Sequence, residues 1–97
     1  MKFEWDEAKN RSNIRKHGFD FADAWAVFEG PLLARLDTRE DYGEDRWQAI
    51  GMLRGQAVVL IFTEREPDII RAISLRKARK HEQAAYEKEL KDRLEAY

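Results

Sequence analysis

Cysteine is missing from all 97 residues, so disulfides, thiolate metal sites and cysteine nucleophiles are excluded. Histidine occurs only twice, at His17 and His81, and the two do not stand in metal-ligand spacing. A zinc site needs three or four ligands placed together, so neither a metal nor a cofactor is expected. No apolar run approaches the roughly 20 residues that span a bilayer. Met1 and Lys2 lead straight into a polar, amphipathic segment unlike a signal peptide. These absences point to a soluble protein of a reducing cytoplasm with no membrane partner. Repeats, linkers and low-complexity tracts are lacking too, and residues 1–97 read as one domain of the common size, about 100 residues. What is present suffices for a core without staples: 43% hydrophobic residues, with three Trp, five Phe and three Tyr.

The net charge of −1 says little, but its distribution says more. Asp37, Glu40, Asp41, Glu44 and Asp45 form an acidic stretch relieved only by Arg39. Arg71, Arg76, Lys77, Arg79, Lys80 and His81 form a basic one with no acid until Glu82. A near-neutral chain can therefore present one positive face, and such a local field attracts phosphates. The plain alternative is a solvated surface.

The chain opens with a strand over 2–5 and a helix over 6–17. Asp6 stands at the N-cap, Gly18 ends the helix, and Ala8 and Ile14 are its candidates for burial. Asp20 caps a second helix over 21–29, where Phe21, Ala24, Trp25 and Phe28 recur at helical spacing, with Trp25 on the buried face. Gly30-Pro31 stops it. Strands are expected over 32–37, 45–53, 57–64 and 69–76. The wholly apolar Ala57–Phe62 segment reads as a central strand covered on both faces. Turns at Arg54-Gly55 and Glu66-Pro67-Asp68 imply an antiparallel meander. From Lys77 to about Ala96 the pattern is helical again, with Ala78, Tyr86, Leu90 and Leu94 near one face. The order β-α-α-β-β-β-β-α predicts an α+β domain: two N-terminal helices and a C-terminal helix packed on a twisted antiparallel sheet.

Three groups could carry chemistry. His17 and Lys16 sit on the last turn of the first helix. There a cation complements the helix dipole, and a histidine can serve as a general acid or base. Thr63-Glu64-Arg65 leaves the end of the apolar strand. On a strict period of two, Ser74 and Arg76 face one way with Ile70 and Ala72, while Arg71, Ile73 and Leu75 face the other. Arg76 then leads into Lys77, Arg79 and Lys80 in the first turns of the last helix. Cations are unfavourable at a helix N-terminus, which argues for a bound anion, with phosphate the natural one. Tyr86 shares a face with Glu82; it could stack on a base or donate a proton, and it fits core packing with its hydroxyl at the edge.

These residues carry a resemblance. Phe3-Glu4-Trp5-Asp6 with Lys9 and Asn13, Lys16-His17-Gly18, Gly43-Glu44-Asp45-Arg46, Ile50-Gly51, Thr63-Glu64-Arg65, Ile70-Arg71, Ile73-Ser74, Arg76-Lys77-Ala78, Glu82 and Tyr86 together resemble the BrnT toxin family of bacterial type II toxin–antitoxin systems. The likeness spans positions 3–87. Leu75 departs from it, standing where the family commonly has a small residue, and Lys88–Tyr97 lies beyond it. The resemblance implies a RelE-like fold and a metal-independent endoribonuclease that slows translation. In such nucleases a positioned 2′-hydroxyl attacks the adjacent phosphate while cations stabilise the transition state. It also implies a BrnA-like ribbon-helix-helix antitoxin, with operator DNA contacted only through that partner. Carried onto this chain, it makes Arg65 and Arg76 the holders of the scissile phosphate and Lys16 and His17 the groups for proton transfer or positioning. Glu64, Ser74, Lys77, Arg79, Lys80 and Tyr86 become substrate contacts. The antitoxin is expected to cover the basic stretch from Arg71 to His81. A different class stays open beside it: a non-catalytic module gripping RNA or protein with the same basic edge.

Overall fold

A computed structural model describes residues 1–95. Strand β1 (Lys2–Glu4) leads into helix α1 (Glu7–His17), and a 3-10 turn (Phe21–Asp23) runs into the short helix α2 (Ala24–Val27). Then come β2 (Leu33–Leu36), β3 (Trp47–Leu53), β4 (Gln56–Arg65), β5 (Ile69–Lys77) and helix α3 (Lys80–Glu95). The sheet order is β1-β5-β4-β3-β2. Consecutive strands β2 to β5 pair antiparallel, whereas β1 pairs parallel to β5, with Phe3 opposite Ile70. The sheet is therefore mixed, not wholly antiparallel. Tight turns dictate direction only between strands adjacent in sequence, and β1 reaches its edge with most of the chain intervening.

Helix α1 forms as its caps demand: Asp6 accepts from the Lys9 amide at 3.0 Å, and Gly18 closes the helix at φ 76°. Its docking differs from expectation. Ala8 and Ile14 are exposed, and the buried residues are Asn10 and Asn13. The helix runs along the edge of β5, where backbone groups need partners more than apolar surface needs cover. Asn13 donates to the carbonyls of Phe19 and Leu75, each at 2.9 Å, and accepts from the Leu75 amide at 3.1 Å. Asn10 accepts from the Phe21 amide at 2.8 Å and donates to Asp20 at 2.9 Å.

The second helical segment is shorter than 21–29. It opens as a 3-10 turn, so the buried stripe recurs every third residue through Phe21, Ala24 and Val27. That rotation turns Trp25 outward, 52% exposed rather than buried. Phe28 stays half-buried against the rings of Phe3 and Phe62, at centroid distances of 5.7 and 5.4 Å. Val27 also presses on β3 where only glycine fits. A Cβ on Gly51 would lie 2.8 Å from the Val27 Cγ1.

Strand β4 is the central strand, buried from Ala57 through Thr63, as its apolar run requires. Val58, Leu60 and Phe62 face α2 on the first face; Ala57, Val59 and Ile61 fill a smaller cluster on the second with Ala78, Ile50 and Ile73. A bulge breaks the alternation of β5. Ile61 pairs with Ser74 and Phe62 with Ala72, leaving Ile73 as the extra residue. Leu75 is thereby returned to the first face with Ile70 and Ala72. Arg71, opposite Thr63, joins Ser74 and Arg76 on the second. The strict period of two had separated Arg71 from that pair.

Strand β5 continues to Lys77, so α3 starts at Lys80 rather than Lys77. Tyr86 is its one buried residue among those described, its hydroxyl donating to the Pro31 carbonyl at 2.7 Å. Leu90 is half-buried and Leu94 is 77% exposed. The expected helix end near Ala96 falls outside the described residues.

Candidate nucleic-acid interface

Asn13 holds the C-terminal half of α1 against β5, and the seam between them opens as a shallow cleft of about 260 Å³ on the second face. Lys9, Ser12, Lys16 and His17 line it from the helix, Ile73 and Ser74 from the strand. The bulge at Ile73 is what turns Ser74 toward these cations. No carboxylate lines the cleft. Lys16, His17 and Ser74 are therefore brought together.

Arg76 lies further along the same face, where β5 meets α3. It is not free to meet an anion with its whole guanidinium, because it forms a bidentate pair with Glu82 at 2.7 and 2.9 Å, both side chains mostly buried. Glu82 also accepts from the Arg79 amide at 2.7 Å. The anion that the start of α3 calls for is thus supplied by the chain itself, three residues on. Lys77, Arg79 and Lys80 stand exposed around this joint, and no ion pair engages them among the described residues. Burial raises the pKa of Tyr86, and its hydroxyl is committed to Pro31, so it packs rather than donates a proton.

Two acids are pinned by such contacts. Arg76 holds Glu82 down to about 2 from an ordinary 4.5. Arg39 holds the buried Asp37 down to about 2 from 3.8, with Tyr42 assisting. A carboxyl depressed in the folded state contributes stability above its unfolded pKa and loses it as pH falls toward the folded value. The Glu82 pair should supply roughly 3 kcal/mol at neutral pH, and the Asp37 pair less, because water screens its exposed Arg39 partner. We expect acid unfolding to set in below about pH 4.5 and deepen toward pH 2. In circular dichroism, Glu82→Gln should be less stable at pH 7 with a shallower acid slope. An unchanged slope would contradict it.

Arg65 is elsewhere. It ends β4, six residues beyond Val59, the partner of Arg76, and so roughly 20 Å away at about 3.3 Å per residue. Arg65 and Arg76 do not converge on one phosphate. Around Arg65 runs a chain of alternating charge absent from the sequence-based site: Arg46, Glu44, Arg65, Glu4 and Arg71. Arg71 pairs with Thr63 across from β4, and Arg46, just before β3, comes level with Thr63 on the other side; the signal for them was the register, not the spacing along the chain. Glu64 lies in a cleft of about 660 Å³ that Thr63 and Arg65 also line, together with Glu44, Asp45, Glu66 and Asp68; those acids repel a phosphate that the arginines do not hold. Among the described residues, no group of three or more His, Cys, Asp or Glu side chains is arranged to hold a metal ion. No described helix is long and apolar enough to cross a membrane.

Comparison with known proteins bears on this arrangement. Residues 5–82 match the sequence model of a family described as the ribonuclease toxin BrnT of a type II toxin–antitoxin system. The fold is similar to the 1.1 Å crystal structure of the Brucella abortus ribonuclease toxin BrnT, with 35% identity and a TM-score of 0.65. That match covers 82% of this chain and 99% of the other. No curated protein sequence matches. With the family model spanning most of its length and the shared fold beneath it, this chain belongs to the BrnT family of ribonuclease toxins.

Proposed function

We propose that this chain is a RelE-like, metal-independent endoribonuclease that cuts RNA at the α1–β5 seam and thereby inhibits translation in the cytoplasm. The observation that carries this reading is the gathering of Lys9, Lys16 and His17 around Ser74 in a cleft lined by no carboxylate. An RNA backbone brings negative charge, and this cleft offers two lysines, a histidine and two hydroxyls to receive it with no acid opposed. In the reaction the RNA's own 2′-hydroxyl attacks the adjacent phosphorus, the bond to the 5′-oxygen breaks, and a 2′,3′-cyclic phosphate is left. One proton leaves the attacking 2′-hydroxyl and one reaches the departing 5′-oxygen; His17 carries one of these transfers and solvent water the other. Lys16 stabilises the charge that builds on the phosphate, and Ser74 hydrogen-bonds to it. Lys77, Arg79 and Lys80 extend the cationic track past the joint with α3, and Arg76 shapes that joint through Glu82.

A partner that silences the toxin must cover this track. A BrnA-like ribbon-helix-helix antitoxin would do so, bringing operator DNA to the complex through its own domain. The test is incubation of the purified chain with RNA in EDTA, alongside induction of the chain in a bacterial host. Discrete fragments with cyclic phosphate ends, and growth arrest relieved by the antitoxin, are expected. Bound but intact RNA would favour the non-catalytic module instead.

A further inference from the structure

Six of the arginines that face carboxylates are held in two ways. Arg39, Arg54 and Arg76 reach carboxylates at 2.7 Å, and Arg71 is likewise bonded directly to Glu4. Arg46 and Arg65 are held differently. Arg46 lies 3.7 Å from Glu44, and Arg65 lies 3.9 Å from Glu44 and 3.8 Å from Glu4, all beyond hydrogen-bond reach. The Arg46 Nε is buried without a partner, its guanidinium stacked 4.1 Å over the Tyr42 ring. Thr63, 2% exposed, carries a buried hydroxyl with no partner either. Trp47 pairs with Phe62, so Arg46 comes level with Thr63 on the second face, and Arg65 follows two residues on. Two loosely held guanidiniums and an unsatisfied hydroxyl thus meet at one end of the face that carries the seam.

An unsatisfied buried donor costs free energy that a ligand can recover. Guanidinium forks match the oxygens of a phosphate, and long, exposed ion pairs such as those to Glu44 are weak enough to exchange. We propose that Arg46 and Arg65, with Thr63 between them, form a subsite for an RNA phosphate flanking the one that is cut. Glu44 holds the two guanidiniums in the free protein and gives way when that phosphate arrives. The subsite rests on the reading of RNA as substrate and extends it: the strand runs across the second face from the seam to the Arg46–Arg65 end. Asp45, Glu64, Glu66 and Asp68 line the same cleft as Thr63 and Arg65; they repel a further phosphate and end its path there.

The test is the fluorescence anisotropy of a labelled, single-stranded 2′-O-methyl RNA, which binds but lacks the attacking hydroxyl. Glu44→Gln, isosteric and on the surface, should bind it roughly three- to tenfold more tightly because a competing carboxylate is gone. Arg46→Gln and Arg65→Gln should each bind roughly tenfold more weakly and lower the salt slope by about one. A network that is only structural predicts no gain from Glu44→Gln, and unchanged or weaker binding by that variant overturns the subsite while leaving RNA recognition standing. Failure of the wild-type protein to bind the oligonucleotide overturns both.

Discussion

Replacing Asn13 with alanine is expected to destabilise the protein by about 3 kcal/mol, the largest loss any single polar side chain here should cause. Asn13 is 6% exposed and makes three hydrogen bonds, two of them closing the free edge of β5 at Leu75 and one holding the Phe19 carbonyl. Alanine leaves that amide and both carbonyls without partners in a place water reaches poorly, and each buried unsatisfied group costs roughly 1–3 kcal/mol. For a domain of this size, 3 kcal/mol corresponds to a fall in Tm of about 12–24 °C. Ile14→Ala, on the exposed side of the same helix, should change stability by less than about 0.5 kcal/mol despite removing an apolar side chain. Thermal denaturation of the two variants decides the matter. A larger loss at Ile14 than at Asn13 would mean that α1 docks by apolar packing after all.

That contrast shows what could be read from the chain and what could not. The caps of α1, the buried run of β4 and the turn at Arg54-Gly55 are local, and each was legible because its cause lies within a few residues. The face that α1 presents was not. Hydropathy ranks Ile14 above Asn13, but the helix lies on a strand edge, where the demand is for hydrogen bonds. Trp25 was misplaced for a related reason, since a 3-10 opening shifts the stripe by a fraction of a turn. One inserted residue, Ile73, regrouped Arg71 with Ser74 and Arg76, and no pattern along the strand announces a bulge. The basic stretch from Arg71 to His81 was visible, yet Glu82 lies just beyond it and neutralises its best arginine. Arg46 was named only among the residues that carry the resemblance and was given no role, because its role depends on which strand lies beside it.

Among activity changes, His17→Ala should have the largest, lowering the rate of RNA cleavage roughly 10²- to 10⁴-fold, the span typical for a lost general acid or base. The affinity for uncleavable RNA should change far less, since one exposed side chain contributes little beside the lysines and arginines of the track. Lys16→Ala should lower both rate and affinity, because an ammonium beside the phosphate acts in the ground state as well as in the transition state. Arg65→Gln should act mainly on affinity, lying at the far end of β4 from the seam. The pattern across the three variants matters more than any one value. A dead His17→Ala that still binds RNA places proton transfer at the seam. Full cleavage by His17→Ala together with a dead Arg65→Gln would move the chemistry to the other end of the second face, where Arg46, Arg65 and Arg71 stand around Thr63. The seam and the arginine end share one surface, and the bulge at Ile73 and the Asn13 clamp hold Ser74 and His17 together on it. Loosening either should therefore slow cleavage before it abolishes binding.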